Sequence, residues 1–312
     1  MKILVIDAFP SEFIEQLRAL PGAEVEFLPD ATKEEVYSRM RDVEILVMNS
    51  KVNADAALLE VSPCVKVICR AGVGLDHFDV PLLESKGIKI VSTPGANKDP
   101  VAEQAIGMLL CLMHNIARAN TQVKQFIWQR EENRGTELKG KTVGIIGYGN
   151  TGSAVAEKLS GFGCRVLAFD KYKSGFGNEF AAEATMDQIF ESADVVTLHV
   201  PLTDETLHLA DEKFFSRFRK NIWFLNLSRG PVLSLDDLIS ALRSGKVIAA
   251  GIDVLENEKF NTLTDIQRKR LEELFTSDKV IFTPHIGGWS HESLKRINDE
   301  IVEQIKKWTG NF

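Results

Sequence analysis

The sequence lacks the features that mark several classes of protein. No apolar run approaches the roughly 20 residues that a membrane-spanning helix needs, so we expect no membrane segment. Its four cysteines show no metal-ligand spacing, which predicts reduced thiols, no metal and a cytoplasmic location. The N-terminal MKILVID has no signal-peptide pattern. The net charge of −7 at pH 7 gives no reason to expect nucleic acid or an anionic membrane as a partner.

What the sequence does contain is the pattern of an α/β protein. A chain of 312 residues, 44% of them hydrophobic, suggests about two domains. Short apolar runs alternate with helical patterns, which predicts parallel, doubly wound sheets with right-handed crossovers. We expect one domain from residues 1–97 plus 287–312, and a second from residues 98–286.

The runs that we predict as strands are short and rich in Val and Ile. In the first domain they are Lys2–Ile6, Val25–Leu28, Ile45–Met48, Val65–Cys69 and Ile88–Val91. In the second they are Val143–Ile146, Val166–Phe169, Val195–Leu198, Ile222–Leu227, Val247–Ile252 and Val280–Thr283. One long helix is predicted from Asp99 to Trp128, packing against a neighbouring subunit, and a closing helix from Ser290 to Trp308.

The second domain opens with a dinucleotide-binding pattern of strand, glycine turn, helix and strand. The strand ends in GYGNTG, which places glycines at 147, 149 and 152. Gly147 permits the tight turn, Gly149 lets a pyrophosphate approach the backbone, and Gly152 allows close packing of helix on strand. The phosphates are expected at the N-terminal end of the following helix. An ordinary turn in a βαβ unit is the alternative.

The next strand ends in an acidic residue, Asp170, about 20 residues after the glycines. A carboxylate at that point accepts hydrogen bonds from an adenosine ribose. It also repels a 2′-phosphate, so Asp170 favours NAD over NADP. Lys171 and Lys173 follow closely and soften that preference without reversing it.

Three charged or titratable residues each follow a predicted strand of the second domain. They are Arg229, Glu258 and His285. Each of them alone is more often a solvated or structural residue than a functional one. Because ligands gather at the carboxyl ends of strands in open α/β sheets, the three together indicate an active site.

The chain resembles the D-isomer-specific 2-hydroxyacid dehydrogenases over nearly its whole length. Among them it is most similar to the D-3-phosphoglycerate dehydrogenases. The motifs that carry the resemblance are RAGVGLD at 70–76, VAE at 101–103, GYGNTG with Asp170, HVPLT at 199–203, NLSRG at 226–230, Asp253 with Glu258, and PHIGG at 284–288. The resemblance implies a flavodoxin-like substrate domain, a Rossmann NAD-binding domain and a homodimer.

The resemblance also implies roles for individual residues. Arg229 would bind and polarise a 2-keto acid, His285 would exchange a proton with the substrate oxygen, and Glu258 would orient His285 and raise its pKa. The other substrate-binding residues would be Arg70, Val73, Gly74 and Asn97. The cofactor would also contact Asn150, Thr151, His199, Pro201, Leu227, Ser228, Asp253, Gly287 and Gly288, with Asp253 at the nicotinamide carboxamide.

The chain departs from the family pattern at several positions. Lys259 follows Glu258 where the family often has Pro, residues 261–278 form a longer segment than usual, and Trp289 stands where small residues are common. Asn49 replaces an arginine that helps phosphoglycerate dehydrogenases to hold the substrate phosphate. D-3-phosphoglycerate is therefore the leading substrate but is in doubt, with Arg70 and Lys51 left as candidate phosphate ligands.

Other functions stay open beside that one. Glyoxylate and hydroxypyruvate are the next substrates. A non-enzymatic NAD-sensing scaffold, resembling the family's co-repressors, is the alternative from another class. A formate dehydrogenase fits less well, because hydride donation from formate needs no His–Glu proton relay.

Overall fold

A computed structural model describes residues 1–310 of the chain. The chain divides into two compact units, Met1–Asn97 with Ser290–Phe312, and Lys98–Trp289. The two last residues, 311 and 312, lie outside the described residues. The chain returns to the first unit at Ser290, not at 287 as predicted. The reason is local: Gly287 donates a hydrogen bond from its N–H to the Asp253 carboxylate of the second unit, at 2.9 Å.

The first unit is built on a parallel sheet. Among the described residues this sheet has five strands: β1 (Lys2–Val5), β2 (Glu24–Phe27), β3 (Ile45–Met48), β4 (Val67–Arg70) and β5 (Lys89–Val91). Their order, β2-β1-β3-β4-β5, is that of flavodoxin-like folds, as predicted. Helices α1 (Ser11–Arg18), α2 (Lys33–Arg39), α3 (Ala56–Glu60) and α4 (Val80–Ser85) connect the strands, and the last helix, α12 (His291–Thr309), closes the unit.

Both faces of this sheet are covered, because successive side chains of a strand point to opposite faces. Ile3 and Val5 pack with Phe13 of α1 and Ile301 of α12. Leu4 belongs to a second cluster, which includes side chains of α2, α3 and α4. Each fully buried aliphatic or aromatic side chain of such a core contributes about 1.5–3 kcal/mol to stability.

The second unit is built on a larger parallel sheet, with seven strands within residues 98–289. They are β6 (Thr142–Ile146), β7 (Arg165–Phe169), β8 (Ala182–Glu183), β9 (Val195–Leu198), β10 (Ile222–Asn226), β11 (Val247–Ile252) and β12 (Val280–Phe282). The order is β12-β11-β10-β9-β6-β7-β8. Six of these strands reproduce the Rossmann order and β12 extends it. The predicted fold class, two doubly wound parallel sheets, is confirmed.

The helices of the second unit, apart from α6, cover both faces of its sheet. They are α5 (Lys98–Met113), α6 (Ile116–Lys124), α7 (Asn150–Leu159), α8 (Met186–Ser192), α9 (Glu212–Ser216), α10 (Leu235–Arg243) and α11 (Asp265–Phe275). One core cluster contains α5 and α7, and the other contains side chains from α8 to α11. Short 3₁₀ turns lie at Met40–Asp42, Ser160–Phe162, Gly230–Val232 and Phe260–Thr262. None of the helices in residues 1–310 is long and apolar enough to cross a membrane.

The long helix predicted from Asp99 to Trp128 is wrong as a single element. It ends at Met113, and a second helix begins at Ile116 after Asn115 adopts the left-handed conformation (φ 54°). Trp128 lies beyond that second helix.

Sequence reasoning also missed β8, whose two residues are too few to make a pattern. Three predicted strands have the observed bounds, and the others differ from them by one or two residues at one or both ends.

Candidate functional site

The glycine turn between β6 and α7 has the geometry that a pyrophosphate needs. Gly147 has φ 93°, and a Cβ at Gly152 would stand 2.0 Å from the Gly147 carbonyl oxygen, so neither position accepts a side chain. A Cβ at Gly149 would meet open space, with no atom of the described chain within 4 Å. Because no side chain caps α7, the N–H groups around Asn150 and Thr151 remain for a ligand. The turn therefore fits a dinucleotide phosphate.

The Asp170 carboxylate lies beside this turn, at the end of β7. Its Oδ2 accepts a hydrogen bond from Tyr148 N–H at 2.9 Å, and its Oδ1 accepts one from Tyr172 N–H at 3.0 Å. Since a carboxylate has about four acceptor positions, Asp170 retains the capacity to bind ribose hydroxyls. The two backbone bonds fix the carboxylate in place.

His199 also lies next to the glycine turn, at the end of β9. A Cβ on Gly147 would come within 2.4 Å of the His199 carbonyl oxygen. The His199 Nε2 is 2.9 Å from Thr197 Oγ1, while its buried Nδ1 has no hydrogen-bond partner within residues 1–310. Burial lowers the pKa of His199 to about 4, so the ring is neutral at pH 7. Pro201, two residues on, accepts a hydrogen bond from Thr206 Oγ1 at 2.6 Å.

The structure brings the three predicted catalytic residues to one edge of the sheet. Arg229 follows β10, Glu258 lies in the loop after β11, and His285 follows β12. These strands are adjacent and parallel, so their carboxyl ends meet at the same edge. Burial is not uniform: the Arg229 side chain is partly buried, and the other two are exposed.

His285 and Glu258 form a close pair. The His285 Nδ1 lies 2.9 Å from Glu258 Oε1 and 3.1 Å from Oε2. This hydrogen bond raises the pKa of His285 above its ordinary value, against the opposing effect of burial. It lowers the pKa of Glu258, which stays ionised at neutral pH. Because an ionised carboxylate only accepts, Nδ1 carries a proton and Nε2 is the nitrogen that exchanges one.

Arg229 is held by its own loop. Its Nη1 donates to the Ser228 carbonyl at 2.8 Å, and its carbonyl accepts a hydrogen bond from Asn226 Nδ2 at 3.0 Å. The Arg229 charge has a smaller effect on the pair: it adds to the lowering of the Glu258 pKa and opposes the rise in the His285 pKa. The Arg229 cation therefore acts electrostatically on both His285 and Glu258.

Asp253 organises the loop that carries His285. Its side chain is buried, and its Oδ1 accepts hydrogen bonds from Thr283 Oγ1 at 2.5 Å and Ile286 N–H at 3.0 Å. Its Oδ2 accepts one from Gly287 N–H at 2.9 Å. His285 itself adopts a left-handed conformation with φ 54°, which is costly for a residue with a side chain. The predicted contact with a carboxamide stays a prediction, whereas the support of the His285 loop is visible.

The remaining predicted cofactor residues lie around this loop. A Cβ on Gly287 would stand 2.9 Å from Asp253 Oδ2 and 3.4 Å from the Leu227 side chain, which makes these three neighbours. Ser228 donates from N–H and Oγ to Asn226 Oδ1, at 3.0 and 2.7 Å. Gly288 follows directly in the same turn.

The predicted substrate residues Arg70, Val73, Gly74 and Asn97 belong to the first unit. Arg70 bends back onto its own loop: Nε donates to the Gly74 carbonyl at 3.1 Å and Nη1 to the Ala71 carbonyl at 2.8 Å. Its Nη1 also makes a short contact with Asn49 Oδ1. Val73 is 37% exposed, and Asn97 is the last residue before α5.

Sequence reasoning missed the polar residues that support this site. Asn226 is fully buried at the end of β10 and binds the loop of Arg229. Thr283 bonds Asp253, and a Cβ on Gly230 would stand 2.0 Å from the Leu255 carbonyl group. The only signal for them is their position next to the charged residues in NLSRG and TPHIGG.

Comparison with known proteins identifies the class to which this site belongs. The model of the family described as "D-isomer specific 2-hydroxyacid dehydrogenase, NAD binding domain" matches residues 106–287. The hydroxypyruvate reductase of Thermotoga maritima is 37% identical over 279 residues, which cover 89% of each chain. The chain belongs to the D-isomer-specific 2-hydroxyacid dehydrogenase family, and the predicted resemblance is confirmed.

Two further relatives agree with this assignment. The D-3-phosphoglycerate dehydrogenase of Methanocaldococcus jannaschii is 36% identical over 310 residues, which are 98% of this chain but only 57% of that protein. The D-lactate dehydrogenase of Aquifex aeolicus, solved with NAD and lactic acid, superposes with a TM-score of 0.87 at 29% identity, covering 100% of this chain and 96% of that one. The protein is thus an NAD-dependent oxidoreductase of this family, with NAD as its cofactor.

Proposed function

We propose that the protein interconverts a short, unphosphorylated 2-keto acid and its D-2-hydroxy acid with NAD(H), hydroxypyruvate and glyoxylate being the leading substrates. The observation that carries the reaction is the His285–Glu258 pair, with Nδ1 and Oε1 2.9 Å apart at the carboxyl edge of the sheet. Bound NAD supplies the nicotinamide that carries the hydride. The protein supplies the proton and the positive charge.

Each catalytic residue has a defined task in this proposal. The Nε2–H of protonated His285 gives a proton to the substrate oxygen in reduction, and neutral Nε2 takes one in oxidation. Glu258 holds the ring in the orientation that leaves Nε2 available. Arg229 offers a fixed fork of donors to a carboxylate and to the carbonyl that gains negative charge.

The choice of an unphosphorylated substrate rests on the cations of the first unit. Arg70 donates to two carbonyls of its own loop, and Lys51 Nζ makes a short contact with the Pro29 carbonyl. Asn49, which replaces the arginine expected in phosphoglycerate dehydrogenases, donates from N–H to the Asp7 carboxylate at 2.5 Å. A phosphate would have to displace these contacts. The 37% identity with a hydroxypyruvate reductase over 89% of each chain supports the same choice.

D-3-phosphoglycerate remains the second candidate because a D-3-phosphoglycerate dehydrogenase matches 98% of the chain at 36% identity. A substrate panel that follows NADH absorbance separates the two, with phosphohydroxypyruvate, hydroxypyruvate, glyoxylate and pyruvate at matched concentrations. We expect the highest kcat/KM with hydroxypyruvate or glyoxylate. A preference for phosphohydroxypyruvate would make the substrate proposal wrong. Binding of NADH without turnover of any keto acid would favour the scaffold.

We also propose that the protein forms a homodimer and is located in the cytoplasm. Large apolar side chains are exposed on and after α6, which supports a subunit interface there. These side chains, which we call the α6 patch, are Ile116, Val123, Phe126, Ile127 and Trp128. Replacement of Phe126 and Trp128 by serine should convert dimer to monomer in analytical ultracentrifugation. Ile266→Ser, which replaces another exposed apolar side chain, on α11, is the control and should leave the mass unchanged.

A further inference from the structure

We propose that Glu205 is a specificity-determining residue that makes the protein select NAD against NADP, by holding Lys171 in an ion pair beside the adenosine ribose. The proposal rests on NAD as the cofactor and on the ribose lying at Asp170. It does not depend on which keto acid is the substrate.

Both lysines that follow Asp170 are occupied by the protein. Lys173 Nζ donates to the Tyr148 carbonyl at 2.8 Å, within the glycine turn. Lys171 Nζ lies 2.8 Å from Glu205 Oε2. Lysines at this point of a sequence favour a 2′-phosphate, because they offer it a positive charge. Here Lys173 binds the glycine turn, and Glu205 compensates the charge of Lys171.

Tyr172 connects the two carboxylates of this region. Its N–H donates to Asp170 Oδ1 at 3.0 Å, and its hydroxyl donates to Glu205 Oε2 at 2.5 Å. The hydrogen bonds from Lys171 and then Tyr172 lower the pKa of Glu205, so it is ionised at neutral pH. The negative charges of Asp170 and Glu205 therefore lie on either side of Tyr172, next to the expected position of the ribose.

The 2′-phosphate of NADP would be repelled by the carboxylates of Asp170 and Glu205. A phosphate monoester carries about −1.5 to −2 charges at pH 7. The Lys171–Glu205 pair is about half exposed, so solvent screens it and the effect of one charge is modest, about fivefold in affinity. Removal of the Glu205 charge both ends a repulsion and releases the Lys171 ammonium toward the phosphate.

The test measures binding of nucleotide fragments, which requires no catalysis. Affinities for 2′,5′-ADP and 5′-AMP are determined by calorimetry for the wild type, Glu205→Gln, Lys171→Gln and the double variant. NADH and NADPH binding is followed by quenching of protein fluorescence. Glu191→Gln is the matched control: Glu191 also pairs with a cation, Arg219, but at the opposite edge of the same sheet, before β9 and β10 begin.

We expect Glu205→Gln to bind 2′,5′-ADP and NADPH about fivefold more tightly, with a much smaller change for 5′-AMP and NADH. This gain should be absent from the double variant and from Glu191→Gln. The proposal is overturned if Glu205→Gln binds 2′,5′-ADP no better than Glu191→Gln does, or if the double variant keeps the gain. If no keto acid in the substrate panel is turned over, the nucleotide-binding results still stand. The substrate proposal and the Glu205 proposal can therefore be refuted independently.

Discussion

Replacement of Glu258 by glutamine tests the acid–base pair most directly, because it keeps the side-chain shape and removes only the charge. In the wild type the Glu258 carboxylate is 2.9 and 3.1 Å from His285 Nδ1. Hydrogen bonds to charged groups contribute about 1.5–3 kcal/mol. The two side chains are 46% and 45% exposed, so screening reduces this to about 1 kcal/mol.

The sign of the effect follows from the direction of the pKa shift. The Glu258 hydrogen bond raises the pKa of His285, so the wild type keeps the imidazolium to a higher pH than a free histidine does. In Glu258→Gln the burial of the ring and the Arg229 charge, which both lower that pKa, are opposed only by the Asp253 charge, whose effect is smaller than that of burial. The alkaline limb of the pH profile for keto-acid reduction should therefore move to lower pH. At pH 8 the loss in kcat/KM should be about fivefold, and it should shrink below pH 6.

The assay is the pH dependence of kcat/KM from NADH absorbance between pH 5 and 10 for both directions of reaction. Glu256→Gln is the matched control, because Glu256 lies in the same loop but faces His208, 4.0 Å away. The oxidative direction, which needs neutral His285, should show its acid limb at lower pH in Glu258→Gln. An alkaline limb that stays in place, or moves to higher pH, would refute the role of Glu258.

Three other substitutions test the rest of the site. His285→Gln should lower kcat by about 10² to 10⁴-fold in the NADH assay while NADH still binds by fluorescence, and near-normal turnover would contradict the proton-transfer role. Asp170→Ala should weaken NADH binding about tenfold and narrow the preference over NADPH; equal use of both cofactors by the wild type would disprove that role. Gly230→Ala should destabilise the fold by about 3 kcal/mol in urea unfolding, because the new Cβ would overlap the Leu255 backbone; unchanged stability would show that this loop relaxes freely.

The sheets could be predicted because each strand is encoded by a short run of consecutive residues. Each central strand is a short apolar run with both faces buried, such as Ile45–Met48 in the first sheet and Val195–Leu198 in the second. The glycine turn was predictable for the same reason, since Gly147 and Gly152 each meet a steric requirement that only glycine satisfies. Alternation and handedness predicted only that the sheets are parallel and doubly wound, and the family resemblance implied the flavodoxin-like and Rossmann folds.

The break between α5 and α6 was not predictable in this way, because distant residues stabilise it. Thr136 N–H donates to the Met113 carbonyl at 2.8 Å, which satisfies the end of α5. Arg118 Nε, one turn into α6, donates to Asn133 Oδ1 at 2.9 Å. The polar segment after α6 thus folds back onto both helices. Helix periodicity carries no information about such contacts.

The charged residues of the site were found from the sequence, but their positions depend on buried polar residues with no signature of their own. Asn226 ends β10, Asp253 directly follows the adjacent strand β11, and both are almost completely buried. Asn226 binds the loop that carries Arg229, and Asp253 binds the loop that carries His285. A buried amide or carboxylate is stable only when its hydrogen bonds are satisfied, so each residue imposes one conformation on the loop that it binds. The exposed pair of His285 and Glu258, which we propose as the catalytic pair, can therefore remain accessible to substrate while buried residues at the strand ends fix the loops around it.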